Sequence, residues 1–137
     1  MSSFKIFEVA GSGMSAQSVR LNTTASNLAN ADSVSGDPTK VYKAKHPLFE
    51  AIRSGLGTNS STSGVAVKGI VEAEGAPTAR YEPGNPLADT NGFVYAPNVN
   101  TVEEMVDMIS ASRSYQNNVE VMNTAKDMML ATLRLGQ

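Results

Sequence analysis

Two glutamates in the middle of the chain, Glu72 and Glu74, are spaced so that one face of an extended strand carries both carboxylates. Glycosidases use such a carboxylate pair as general acid and base. One reading of this spacing is therefore a small enzyme that cleaves wall polysaccharide, with Glu72 or Glu74 as the acid. The other reading is two solvated surface charges, which carboxylates close together in sequence commonly are.

Other chemistry-bearing residues form no recognisable motif. His46 lies beside Lys45, and no serine or carboxylate is spaced to complete a catalytic triad. Residues 11–13 read Gly-Ser-Gly without the lysine of a phosphate-binding loop. The chain has no cysteine and one histidine, which excludes disulfides, thiolate metal sites and a two-histidine metal site within one chain. We predict no catalytic residue, no metal and no cofactor.

Length and charge limit the function further. The 137 residues are enough for one domain, and the net charge of −2 attracts neither nucleic acid nor an anionic membrane. No apolar run approaches the roughly 20 residues of a membrane span, and the N-terminus lacks the apolar stretch of a secretory signal. By these ordinary signals the chain is expected in the cytoplasm.

A seven-residue apolar repeat marks the N-terminal segment. One row of it comprises Phe7, Met14, Leu21 and Leu28, and the positions three places earlier are Phe4, Gly11, Ser18 and Ala25. This spacing is typical of helices packed side by side in a coiled coil. It is equally compatible with the buried face of a single amphipathic helix.

The same spacing returns near the C-terminus. One row comprises Met108, Tyr115, Met122 and Met129, and the other comprises Met105, Ser112, Val119, Lys126 and Leu133. The methionines are expected to fill a core or an adaptable interface rather than bind metal. The two ends of the chain are thus predicted to be long helices that pack together.

The polar face of the first helix is unusual because it carries few charges. Within residues 1–30 the charged side chains are Lys5, Glu8 and Arg20, and the remaining polar positions are small and uncharged. Serine, asparagine, threonine and glycine lower helix propensity. We expect a helix that is weak alone and stabilised by packing. The alternative is a flexible N-terminal tail.

The middle of the chain is predicted to be a loop-rich β insertion. Turn-forming residues follow the first helix at positions 32–38, and residues 40–46 alternate as in an exposed strand that Pro47 ends. Leu48, Phe49 and Ile52 form a small apolar cluster. A flexible loop is expected at residues 54–64 and strands at 65–71 and 93–95, the latter after an Asn91-Gly92 turn.

The second helix is predicted over residues 101–135, about 50 Å at 1.5 Å per residue. Thr101 and Glu104 fit a capping box, and Gly136 suits the helix end. Glu103, Glu104 and Asp107 are expected to complement the positive end of the helix dipole. The predicted segments are an N-terminal helix (1–33), a β insertion (34–100) and a C-terminal helix (101–137). The fold class is mainly α, an elongated pair of coiled-coil-like helices with a small β insertion.

Several stretches of the sequence resemble one known family. Residues 27–33, Asn-Leu-Ala-Asn-Ala-Asp-Ser, are similar to the N-terminal signature of bacterial flagellar rod, hook and hook-associated proteins, although Ser33 stands where many members have threonine. Residues 14–20 resemble the segment before that signature. Residues 81–89, 92–98, 110–116, 119–126 and 135–137 are similar to a proximal rod member of this family. The resemblance covers nearly the whole chain apart from residues 54–64.

The resemblance implies a structural subunit rather than an enzyme. The terminal helices would form the inner, coiled-coil-like layer of a helical tube, which is the drive shaft of the flagellar motor and encloses the export channel. The insertion would lie outside this layer or between subunits. Expected partners are other copies of the chain, other flagellar rod proteins and the flagellar type III export apparatus. This apparatus exports subunits without a cleaved signal, which would place the chain in the basal body rather than the cytoplasm.

The heptad rows and the signature together give a predicted assembly interface. No membrane span and no nucleic-acid partner are expected, and a soluble export adaptor is a further alternative. The residues assigned to the interface are Phe4, Phe7, Met14, Leu21, Asn27, Leu28, Asn30, Met108, Tyr115, Val119, Met122, Met129 and Leu133.

Overall fold

The chain consists of a long N-terminal helix, a small β insertion and a long C-terminal helix, in that order. A computed structural model describes residues 3–53 and 63–136. Helix α1 spans Ser3–Ala29 and helix α2 spans Thr101–Leu135. Between them lie strands β1 (Lys45–Arg53), β2 (Ser63–Glu72), β3 (Thr78–Tyr81) and β4 (Phe93–Ala96). The predicted fold class, mainly helical with a β insertion between terminal helices, is confirmed.

Helix α2 begins one residue earlier than the capping box requires. Asn100, rather than Thr101, is the N-cap, and its Oδ1 accepts hydrogen bonds from the backbone N–H groups of Val102 (3.1 Å) and Glu103 (3.4 Å). Asparagine is among the best N-caps because its side chain satisfies amides that have no partner in the first turn. Glu104 is thereby free of the capping role that the sequence assigned to it. The helix ends, as predicted, at Leu135, and Gly136 is its C-cap.

The two helices run antiparallel. The start of α2 lies at the end of α1, where Asn27 contacts Glu104, and Asn118 lies within 3 Å of the position that a Cβ on Gly13 would occupy. Farther along, Ile6 and Met128 line one apolar groove. Because α2 is eight residues longer than α1, 35 against 27, its last turns extend past the described start of α1.

Small and polar residues form the contact between the helices. In α1, Ala10, Ala16 and Thr24 are at most 3% exposed, and in α2 the buried residues are Glu104, Ala111 and Ala125, spaced by seven and fourteen. Small side chains allow helix axes to approach closely. In α1, Ala10 and Thr24 lie three positions after residues of the predicted row and Ala16 lies two after Met14, whereas the α2 contact residues lie one position before the Met105 row. The larger apolar residues of the predicted rows therefore flank the contact and are mostly half-buried.

The insertion contains two separate two-stranded antiparallel sheets. Strands β1 and β2 pair from Lys45↔Glu72 to Arg53↔Ser63, with a register shift after Leu48, and β3 pairs with β4 from Thr78↔Ala96 to Tyr81↔Phe93. The first sheet contacts α1, where the Ser12 Oγ accepts a hydrogen bond from the Val65 N–H (3.0 Å). An isolated bridge between Ser35 and Tyr95 attaches the chain after α1 to β4.

Several predictions for the insertion need correction. The predicted strand at 40–46 is wrong, because β1 begins only at Lys45 and continues through Pro47. Proline is tolerated there because β1 has a single partner strand, which leaves one edge without ladder bonds. β3 was not predicted as a strand, whereas the strands at 65–71 and 93–95 are confirmed within β2 and β4. Of the predicted loop at 54–64, residues 54–62 lie outside the described part of the chain.

The predicted Asn91-Gly92 turn before β4 is confirmed. Gly92 has φ 82°, a left-handed conformation that glycine adopts without a steric penalty. The Asp89 carboxylate accepts hydrogen bonds from the backbone N–H groups of Asn91 (2.8 Å) and Phe93 (2.9 Å). The rings of Tyr81 and Phe93 pack edge to face with centroids 5.3 Å apart.

Of the helices in residues 3–29 and 101–135, neither has the length and apolarity that crossing a bilayer requires.

The close helix contact predicts a strong effect of side-chain size at Ala111, which is fully buried. Ala111→Leu should lower the free energy of unfolding by about 1–3 kcal/mol, because the added methyl groups force the helices apart. Urea denaturation of the purified chain, followed by circular dichroism, measures this change. Ala131→Leu, on the exposed end of α2, is the matched control and should change stability little. An equal effect of both substitutions would argue against tight packing at Ala111.

Candidate functional site

A cluster of hydrogen-bonded polar side chains joins α1, α2 and the start of β1. We call it the polar junction and define it by Ser26, Asn27, Tyr42, Lys45 and Glu104. Asn27 is at its centre and has no exposed surface. The junction therefore fixes the end of α1 that faces the insertion.

The side-chain amide of Asn27 makes a hydrogen bond in every direction available to it. Its Nδ2 donates to the backbone oxygen of Lys45 (3.0 Å) and to Oε1 of Glu104 (3.0 Å). Its Oδ1 accepts from the Lys45 N–H (2.8 Å) and from the Tyr42 hydroxyl (2.8 Å). An amide has two donors and two acceptor sites, so this one is fully satisfied. Through its two bonds to the Lys45 backbone, the Asn27 side chain pairs with the start of β1 much as a neighbouring strand would.

Tyr42 extends the junction to the surface. Its hydroxyl lies 3.1 Å from the Ser26 Oγ, one residue before Asn27 in α1. The Lys45 ammonium group lies 5.9 Å from the centroid of the Tyr42 ring, within the range of a cation–π contact. The segment between α1 and β1, predicted from its alternation to be a strand, is thus held by side-chain contacts to α1 instead of by a strand ladder.

Glu104 is the acidic member of the junction. It is 5% exposed, and while its Oε1 accepts from Asn27, its Oε2 is buried without a hydrogen-bond partner. Buried polar atoms in folded proteins nearly always have a partner. The role that the sequence suggested, compensation of the helix dipole, is compatible with this position but does not account for the burial.

An ion pair also joins the helices, one turn along α2 from Glu104. The Arg20 guanidinium donates to the Asp107 carboxylate at 2.9 Å, with 24% and 41% of the two side chains exposed. Partly exposed pairs of this kind contribute about 1 kcal/mol or less. Asp107, predicted to act on the helix dipole, therefore also pairs with Arg20 and helps to set the antiparallel register.

The predicted assembly residues occupy two environments. Asn27 lies in the polar junction, and Asn30 donates through its Nδ2 to the Ser26 oxygen at the end of α1. At the opposite end, Phe4 is 74% exposed and Leu133 is 68% exposed. The residues that flank the helix contact, half-buried except for Tyr115 at 38%, are Phe7, Met14, Leu21, Leu28, Met108, Tyr115, Val119, Met122 and Met129. Their part in assembly stays a prediction, because it concerns contacts between subunits and the structure contains a single chain.

An exposed apolar face on α2 was missed by the heptad reading. Val102, Met105, Val106 and Ile109 are each 56–67% exposed. Their spacing of three, four and seven places them on one face of the helix. That spacing was readable in the sequence, but only Met105 fell in a predicted row, and spacing alone does not tell which apolar face is covered by the same chain.

The candidate catalytic groups are not assembled into a site. β2 ends at Glu72, so Glu74 lies beyond the strand and the predicted shared strand face is wrong. Both carboxylates are exposed, as is His46. Within residues 3–53 and 63–136, no three His, Cys, Asp or Glu side chains are grouped so that they could hold a metal ion.

Comparison with protein families matches both ends of the chain. Residues 7–36 match a family described as flagella basal body rod protein. Residues 90–135 match a family described as flagellar basal body rod FlgEFG protein C-terminal. The first match covers most of α1 and the polar junction's Asn27, and the second covers β4 and α2.

Full-length relatives agree with these matches. The flagellar basal-body rod protein FlgC of Salmonella typhimurium is 53% identical over 137 residues, with all of both chains covered. The proteins of the same name from Yersinia enterocolitica and from Buchnera aphidicola of Acyrthosiphon pisum are 51% and 42% identical, again over all of each chain.

The polar junction predicts that Asn27 contributes more to stability than any exposed asparagine of α1. Asn27→Ala should lower the free energy of unfolding by about 1–3 kcal/mol, because buried partners lose their hydrogen bonds. Asn22→Ala, at an exposed position of the same helix, is the control for helix propensity. Urea denaturation of both variants gives the comparison, and similar losses in the two would show that the junction stabilises little.

Proposed function

This chain belongs to the FlgC family of flagellar basal-body rod proteins and is a structural subunit of the bacterial flagellar rod, and we propose that its two helices build the wall of the proximal rod. In this position the subunit transmits motor torque and encloses the channel through which later subunits are exported. We assign it no enzymatic role, no cofactor and no nucleic-acid partner.

The observation that carries the proposal is the distribution of apolar side chains on the helices. The contact within the subunit uses small residues, while Phe4, Met105, Val106 and Leu133 remain 56–74% exposed. Apolar surface of this extent on a long helix is typical of an interface. Neighbouring subunits packed side by side would remove these residues from water, as heptad-spaced helices do.

The three segments take different positions in the proposed tube. Residues 1–33 and 101–137 form its inner, coiled-coil-like layer, and residues 34–100 lie outside that layer or between subunits. Arg20–Asp107 and the polar junction support this division, because they fix both helices to each other and to the start of β1. The partners are other copies of this chain and other rod proteins.

We further propose that the flagellar type III apparatus exports the subunit without cleavage of a signal peptide. Support comes from the composition of α1, which has no acidic residue in its first turn and no basic residue in its last. Such a helix gains little stability from its own sequence and depends on packing. A chain of this kind unfolds readily for transport and orders again when its neighbours cover it.

Isolated basal bodies test the assignment directly. Cells that lack the gene should form no complete rod and no hook, and the intact gene should restore both. Mass spectrometry of basal bodies purified from the complemented cells should find the chain in the rod fraction. Complete rods assembled without this chain would reject its role as a rod subunit.

The packing proposal makes a sharper prediction at two half-buried positions, Leu21 and Met122. Leu21→Asp and Met122→Asp should each abolish rod assembly, because an unpaired carboxylate in a desolvated interface costs several kcal/mol. The lost apolar contacts add roughly 2–5 kcal/mol, judged from truncations to alanine. Electron microscopy of basal bodies and swimming in soft agar measure the effect.

The matched control is Glu120→Gln, at an exposed position of α2 two residues from Met122. It should leave rods and swimming unchanged. Both aspartate variants should still leave the cytoplasm, since export acts on the unfolded chain. Normal rods in the Leu21→Asp strain would mean that this row faces solvent or the channel, contrary to the proposed packing.

A further inference from the structure

The turn before β4 contains the one asparagine of the sequence that glycine follows directly, Asn91 before Gly92. In such a dipeptide the backbone nitrogen of the glycine can attack the side-chain amide carbon of the asparagine. The glycine has no Cβ, so little obstructs the approach. The reaction needs neither an enzyme nor a cofactor, and its rate therefore depends on whether the backbone lets the two atoms meet.

This reaction is a deamidation, and it consumes one water and releases one ammonia. The Gly92 nitrogen bonds to Cγ of Asn91, the bond from Cγ to Nδ2 breaks, and the proton lost by the glycine nitrogen passes through solvent to the departing ammonia. Water then opens the resulting cyclic imide at either of its two carbon–nitrogen bonds. One product is aspartate on an unchanged backbone. The other is isoaspartate, in which the main chain runs through the former side chain and is one carbon longer.

The folded turn opposes the attack because it fixes the peptide on both sides of Asn91. The Gly92 N–H, which carries the attacking nitrogen, donates to the backbone oxygen of Asp89 (3.0 Å). The Asp89 carboxylate accepts from the Asn91 N–H (2.8 Å) and from the Phe93 N–H (2.9 Å). Rotation of the peptide between Asn91 and Gly92 toward Cγ would break these bonds.

Gly92 is held by the β3 side of the turn as well. Its backbone oxygen accepts from the Glu82 N–H (2.9 Å). A Cβ built on it would lie 3.0 Å from the Tyr81 ring and 3.2 Å from the Cβ of Pro83. Asn91 itself is exposed, so water reaches it. The barrier to deamidation in the folded chain is therefore conformational and does not come from exclusion of water.

We propose that Asn91 is a spontaneous modification site whose reactivity the fold controls: the turn suppresses deamidation, and unfolding releases it. Isoaspartate lengthens the main chain inside the turn and moves Gly92 out of place for the Tyr81↔Phe93 pair. Either product adds a carboxylate two residues from that of Asp89, and like charges so close repel each other. Deamidation thus marks chains that have stayed unfolded. Fold control of Asn91 does not depend on the rod function proposed above.

Mass spectrometry of the purified full-length chain measures conversion at each asparagine. Samples are held at mildly alkaline pH, with or without guanidinium chloride at a denaturing concentration, and are then digested at acidic pH. In the denaturant Asn91 should convert before the other asparagines. In the folded chain its conversion should be slower by about ten-fold or more, because only molecules whose turn is open can react. Equal rates in the two samples, or faster conversion of another asparagine in the denaturant, would overturn the proposal.

Asp89→Ala tests whether the turn supplies the protection. The substitution releases the Asn91 and Phe93 N–H groups, so conversion of Asn91 without denaturant should rise several-fold. Asp127→Ala removes an exposed carboxylate of α2 and is the control. Circular dichroism shows whether both variants keep their helices, and the comparison of the unmodified chain with and without denaturant does not depend on them. Equal conversion in two folded variants would exclude the Asp89 contacts as the protection.

Refolding tests the consequence of the modification. Chains aged in denaturant are diluted into buffer, and the amide resonances of residues 89–96 report closure of the turn. The fraction that recovers these resonances should fall as isoaspartate accumulates. Asn91→Gln is the matched control, because glutamine at this exposed position must close a larger ring and reacts more slowly. Native resonances from isoaspartate-containing chains, or an equal loss in Asn91→Gln, would show that the modification does not prevent closure.

Discussion

Asn27 forms hydrogen bonds to the backbone of β1, to Tyr42 and to Glu104 of α2, and it does so without any exposure to solvent. In such an environment each unmade bond is costly, because no water replaces it. The end of α1, the start of α2 and the first strand can therefore keep their bonds only in one relative arrangement. The contacts farther along, Arg20 with Asp107 and Ser12 with β2, extend from this fixed point.

Beyond the polar junction, α1 and α2 pack against each other through small residues, and this packing has a consequence for assembly. Alanine at positions 10, 16, 111 and 125 brings the helix axes close together but buries little apolar area. The larger apolar side chains stay half-buried beside the contact or exposed on the outer face of α2. In the proposed rod, much of the hydrophobic stabilisation would thus come from neighbouring subunits, so that ordering of the helices and assembly favour each other.

The periodicity of the chain was sufficient to predict both helices and two of the strands, because helix and strand spacing are local properties of sequence. It was insufficient where a tertiary contact replaced a local one. Residues 40–46 alternate like a strand, yet Tyr42 and the Lys45 backbone bind Asn27. Thr101 and Glu104 match a capping box, yet Asn100 caps α2 while Glu104 turns to α1. In each case an alternative partner, distant in sequence, satisfied the polar group.

The sequence by itself determined the family, the mainly helical class and the apolar rows of the helices, since residue types and their spacing carry this information directly. Only the tertiary structure decided which helix face meets the other helix. Heptad spacing is shared by adjacent rows, and close packing selected the row of small residues rather than that of Leu21 and Met122. It also decided that Glu104 is buried with one free carboxylate oxygen. The burial of a residue depends on which segments pack against it. Here three segments that are distant in sequence do so, and a local sequence pattern does not contain that information.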